Sequence, residues 1–150
     1  MLMERLRELG LEMPELSPPV ASYLPARRHA GLIYVSGQLP MKDGALLATG
    51  PVPSGASAEQ AKSAMAQSFL NGLAAALQVC EAAELTGVLK LGAYVASDPD
   101  FSQQHLIANG ASQLAQDIFG EPGRHVRFAV GVSTLPLNAS VELEIIFTTK

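Results

Sequence analysis

The sequence predicts an α+β fold, a sheet with helices packed on one face, and three observations carry that prediction. Two C-terminal segments alternate with the period of a strand, Val126, Phe128, Val130 and Val132 in one and Val141, Leu143, Ile145 and Phe147 in the other. Between Ser57 and Cys80, apolar residues recur at helical spacing instead. The elements then interleave in the order βββαβαββ, which suits helices gathered on one side of a sheet.

Taken in chain order, MERLRELG predicts a short helix that Gly10 stops, and LEMPELSPPVASYLP reads as a proline-punctuated arm. Strands are expected from Leu24 to His29 and from Leu32 to Ser36, then a turn at Lys42-Asp43-Gly44 and a short strand from Ala45 to Thr49. Ser57 stands as an N-cap with Gln60 three residues later and Glu59 in the first turn, opening a helix whose stripe is Ala61, Met65, Phe69, Leu73, Leu77 and Cys80. Ala64, Ala74, Ala75 and Ala76 let it approach the sheet closely, and Cys80 reads as a small buried hydrophobe. A strand from Gly87 to Ser97 and a helix from Phe101 to Phe119 follow, ending at the Gly120, Pro122, Gly123 break.

The last two strands are expected to pair as a hairpin whose apolar side, Phe128 included, faces the core. A four-residue turn over Leu135 to Asn138 would set Arg127 opposite Ile146 and Glu142 opposite Gly131. Arg127 and Glu142 would then be about 13 Å apart, too far to share one water within a subunit. On the Arg127 face, Ala129 and Gly131 leave volume where a ligand can sit, with His125 at the rim. The residues alone also allow another reading, a cross-strand ion-pair ladder between Arg127 and the glutamates.

Composition narrows the function classes. A chain of 150 residues fits one domain, 1–150, and buries roughly 70% of its unfolded surface. A net charge of −4 and a pI near 5.3 argue against a nucleic-acid partner. One cysteine excludes a disulfide framework, and the charged N-terminal segment is neither a signal peptide nor a membrane span, so the cytoplasm is the expected compartment. With 48% hydrophobic and 16% charged residues, an oligomer is expected. There is no glycine-rich phosphate loop and no Gly-x-Ser-x-Gly elbow; His29, His105 and His125 lack metal-ligand spacing, so no metal is expected.

Four pieces occur together in order: Tyr23; Ser36-Gly37-Gln38-Leu39-Pro40; Arg127 eight residues ahead of Leu135-Pro136; and Val141-Glu142-Leu143-Glu144. In these the chain resembles the RidA/YjgF family of enamine/imine deaminases, long called L-PSP endoribonucleases. The resemblance covers the chain from about Leu16 onward, and is strongest to a longer branch. That branch has an N-terminal extension (here 1–16), an Asn-Gly-Ala-Ser segment (Asn109 to Ser112) and a Gly-x-His-x-Arg run (Gly123 to Arg127).

What the resemblance implies is a chorismate-mutase-like fold, a mixed sheet with two helices on one face, and a homotrimer with clefts between subunits. It also implies hydrolysis of small reactive enamine/imine acids, such as 2-aminoacrylate, to 2-keto acids and ammonia without metal or organic cofactor. By similarity Arg127 grips the substrate carboxylate and Glu142 positions or activates a water, while Tyr23, Ser36, Gly37 and Ala129 line the pocket and His125 and Asn109 stand behind it. A planar guanidinium suits a carboxylate, and a carboxylate can orient water toward an imine carbon. Departures are visible: Ala129 stands where the deaminases commonly have cysteine, Phe128 where serine is frequent, and the segment from Phe101 to Asn109 is longer. A non-catalytic trimeric module that binds a small carboxylate metabolite through Arg127 is the alternative. Ribonuclease activity fits poorly with the acidic charge.

Overall fold

A computed structural model describes residues 1–16, 18 and 21–150. Its main sheet has five strands in the order β1 (Ala26–His29), β2 (Leu32–Gln38), β7 (Val141–Thr149), β5 (Leu85–Ala96) and β6 (Val126–Val132). Helices α2 (Ala58–Ala76) and α3 (Gln104–Phe119) pack on one face, and a short α1 (Leu2–Glu8) docks against α3. The core lies between sheet and helices, where Val141, Leu143, Ile145 and Phe147 meet Met65, Phe69, Leu73 and Ile107, all essentially without solvent exposure. No described helix is long and apolar enough to cross a membrane.

Local chemistry accounts for the element ends. Ser57 Oγ accepts from the Gln60 amide and the Gln60 side chain accepts from the Ser57 amide, a complete capping box for α2. The helix stops at Ala76, short of the apolar stripe, and Gln78 and Val79 continue only as tight turns. Cys80 is partly buried there, and burial together with the nearby Glu84 pushes its thiol pKa up, which disfavours the nucleophilic thiolate. Helix α3 begins at Gln104, three residues after the expected Phe101, because Phe101 is held in a turn on Asp98. The expected strand from Ala45 to Thr49 is shorter than read: β4 (Ala45–Leu46) pairs only with β3 (Met41–Lys42) in a separate ribbon. Asp43 and Gly44 turn it, both at positive φ, as a two-residue hairpin turn requires.

The C-terminal hairpin is corrected. Strand β6 pairs in parallel with β5, and β7 pairs antiparallel with the other edge of β5, so β5 lies between the two expected partners. Helix α3 is the crossover that makes β5 and β6 parallel. The segment after β6 then passes the end of β5, fixed by Gly50 N–H donating to Asn138 O and Ser140 N–H to Ala48 O. This frees β7, with its fully buried apolar face, to take the central position between β2 and β5.

That insertion reverses one side-chain assignment. Arg127, Ala129 and Gly131 align with Leu91, Ala93 and Val95, which face the helices. Phe128 therefore points away from the core, where its ring packs edge-on against Tyr94 with centroids 5.3 Å apart and lies under the Lys90 ammonium. Gly92 is the glycine that makes room, since a Cβ there would sit 2.6 Å from the Phe128 ring.

Candidate functional site

Arg127 leaves β6 on its helix side and is fastened to α3. Nη1 donates to Asn109 Oδ1 at 2.8 Å and to Ser112 Oγ at 2.9 Å, and Nη2 donates to the His105 carbonyl at 3.0 Å. The side chain is exposed and forms no ion pair among the described residues, so the ladder reading fails. Three of its N–H donors are engaged; a guanidinium has five, which leaves the two that a bidentate carboxylate takes. His125 shares this face: its ring nitrogens lie 2.8 Å from Ser112 Oγ and 2.7 Å from Gly123 O. The volume expected beside Ala129 and Gly131 is occupied. Ala129 packs on the core, and a Cβ on Gly131 would meet the Gln104 amide at 2.7 Å.

A second cluster gathers at the β2 end. Between Val35 and Gln38 the register with β7 slips, a bulge at Ser36 and Gly37. Ser36 Oγ donates to Leu24 O at 2.6 Å and so ties the Tyr23 loop to the strand. Gly37 faces Glu142 so closely that any Cβ at residue 37 would run into its carboxylate. Glu142 is half-buried and accepts no hydrogen bond from any described side chain, and burial raises its pKa above the ordinary carboxylate value. Beside it, Tyr23, Gly37, Leu39, Asn71, Leu137 and Leu16 line a cleft of about 160 Å³. Asn71 shapes the floor by donating to the Leu39 and Met41 carbonyls.

The sequence-predicted residues thus fall into two groups, Arg127, Ala129, His125 and Asn109 in one, Tyr23, Ser36, Gly37 and Glu142 in the other. Within one chain they do not meet. Glu142 aligns with Tyr94 and Arg127 with Leu91, three residues along β5 and on opposite faces of the sheet. Their Cα atoms are separated by about 10 Å along the strands and about 10 Å across them. The expected distance was similar, but the cause differs: a strand stands between them and their side chains diverge. Ser112 was given no role from sequence, although His105, Asn109 and Ser112 at i, i+4 and i+7 mark one helical face turned to β6.

The family model for endoribonuclease L-PSP matches residues 15–149. The chain belongs to the endoribonuclease L-PSP family, also called RidA/YjgF. It is 37% identical over 145 residues to protein TCP17 of Trypanosoma cruzi, a match covering 93% of this chain and 88% of that protein. A protein of unknown function from Agrobacterium tumefaciens is 40% identical with a TM-score of 0.90, over 99% of this chain and 94% of the other. A Shewanella oneidensis MR-1 protein carrying an endoribonuclease name is 27% identical with a TM-score of 0.93, over 99% of both chains. This L-PSP member has the chorismate-mutase-like fold of its family, and membership supports a role in processing or binding small molecules.

Proposed function

We propose that this L-PSP protein hydrolyses small reactive enamine/imine acids to 2-keto acids and ammonia, in clefts completed by neighbouring copies of the chain. The observation that carries the reading is the separation of two half-sites onto opposite faces of one sheet: a tethered guanidinium with two donors unused among the described residues, and a carboxylate that accepts no hydrogen bond from any described residue, beside a small cleft. Each half has what the other lacks. Two different patches that complete one another form a heterologous contact, which generates a ring such as a trimer when the rotation between copies closes. The sheet face opposite the helices supports association, since Val126, Tyr34 and Val130 are 68%, 47% and 42% exposed and no described helix covers them.

In this reading Arg127 of one subunit holds the substrate carboxylate through its two free N–H groups. Glu142 of the neighbour, ionised, accepts a proton from water as the water oxygen bonds to the imine carbon. That proton passes from Glu142 to the nitrogen, which takes up the C=N π pair to give a carbinolamine. Glu142 then accepts the hydroxyl proton as the carbonyl forms and delivers it to the same nitrogen, so that the C–N bond breaks with its electron pair leaving on ammonia. Gly37 leaves room for the carboxylate, and Tyr23 and Leu137 wall the cleft. The raised pKa of Glu142 makes it a stronger base than an exposed glutamate, and activity falls as the pH drops through it.

The test is hydrolysis of 2-aminoacrylate, generated in situ by a separate dehydratase, with wild type and Arg127→Ala side by side. Acceleration that the substitution abolishes supports the proposal. No acceleration by folded wild-type protein contradicts it and leaves the carboxylate-binding module, which needs the same Arg127.

A further inference from the structure

We propose that His125, acting through Ser112, is a positioning residue that sets the direction in which Arg127 presents its free donors. The inference rests on Arg127 being a carboxylate grip. Four side chains form a continuous chain of hydrogen bonds, and its polarity follows from the one end that has no choice. His125 Nδ1 lies 2.7 Å from the Gly123 carbonyl, which only accepts, so Nδ1 carries the proton. In the neutral imidazole Nε2 is then an acceptor, and the Ser112 hydroxyl 2.8 Å away donates to it. With its hydrogen committed there, Ser112 Oγ turns lone pairs toward Arg127 Nη1 at 2.9 Å.

Ser112 is 8% exposed, so its hydroxyl cannot trade these partners for bulk water. Asn109 Oδ1 takes the second Nη1 proton and the His105 carbonyl one proton of Nη2. The anchors are all neutral, so they fix the guanidinium without cancelling its charge, which stays available to an anionic ligand. Removing His125 frees the Ser112 hydroxyl to rotate, and the buried hydroxyl then competes with Arg127 for the same acceptors.

The relay also explains why the loop before β6 is so tightly built. Gly123 is buried, a Cβ there would collide with the Ala115 carbonyl of α3, and its own carbonyl is what orients the imidazole. Backbone, histidine, serine and arginine therefore form one unit spanning α3 and β6.

The experiment titrates the full-length protein with pyruvate, the product expected from 2-aminoacrylate, and with its uncharged amide, following binding by NMR. Variants are Arg127→Ala, Ser112→Ala, His125→Ala, and His125→Gln, whose Oε1 reaches the place of Nε2. The inference predicts that Ser112→Ala and His125→Ala weaken pyruvate about tenfold, equivalent to about 1.4 kcal/mol, without changing the amide, and that His125→Gln restores most of the loss. Loss in Arg127→Ala with wild-type affinity in Ser112→Ala and His125→Ala overturns the relay and leaves the grip standing. Equal losses for pyruvate and amide, or no recovery in His125→Gln, reduce His125 to packing and overturn the relay. Unchanged affinity in Arg127→Ala overturns both readings.

Discussion

Glu142 directs its carboxylate at the bare backbone of Gly37 and has no donor among the described side chains to offset lost hydration. Because burial raises its native pKa above the unfolded value, the native state binds more protons than the unfolded chain between those two values. Stability is therefore lost as pH rises through that window. Glu142→Gln should melt higher than wild type near pH 7, the gain shrinking toward about pH 4 where Glu142 is protonated. A thermal-melt series across pH checks this, and a constant offset would contradict it. Gly37→Ala should leave folding nearly intact but displace the carboxylate and cut turnover at least tenfold, seen as a fall in kcat larger than any rise in KM. At this scale the sequence was informative about partners and silent about sides. Alternation grouped Arg127 with His125 and Ala129, as observed, yet the period of two cannot say which face of a sheet a group occupies.

The helices and the capping box were legible because their signals are local: Ser57, Gln60 and the stripe from Ala61 to Leu73 lie within a few turns. Strand pairing was not, because it depends on which edges are free once α3 has carried the chain from β5 to β6. Two alternating segments joined by a short connection resemble a hairpin whether or not another strand slips between them. Glycine spacing at the α2–α3 contact leads to a prediction of its own. A Cβ on Gly110 would collide with the Lys62 backbone carbonyl, which has no rotamer to change, so Gly110→Ala should cost about 1–3 kcal/mol. Since Asn109 and Ser112 lie one and two residues from Gly110, the same substitution should weaken the proposed carboxylate binding. Denaturant unfolding and ligand titration on one sample test both, and unaltered stability would mean that the helices separate freely.

For the whole molecule, the fold was readable from four short pieces scattered from Tyr23 to Glu144, whereas the proposed assembly is argued from the character of the uncovered sheet face. Tyr34, Phe128 and Val130 lie there as aromatic and apolar groups suited to burial against another copy, with Lys90 and the glutamates of β7 beside them as polar groups that burial would have to pair. If the proposed trimer forms through this face, Val130→Asp should lower the mass measured by light scattering from trimer to monomer, and abolish the proposed turnover while each chain stays folded. A monodisperse trimer in that variant would place the interface elsewhere.

The central claim is that one active cleft draws Arg127 from one subunit and Glu142 from the next. It is tested most directly by mixing Arg127→Ala and Glu142→Gln chains, each inactive alone, under conditions that exchange subunits, and assaying 2-aminoacrylate hydrolysis. Random assembly restores both residues in about a quarter of the clefts, and activity should recover to about that fraction of wild type. A mixed population with no more activity than its parents would contradict a shared site.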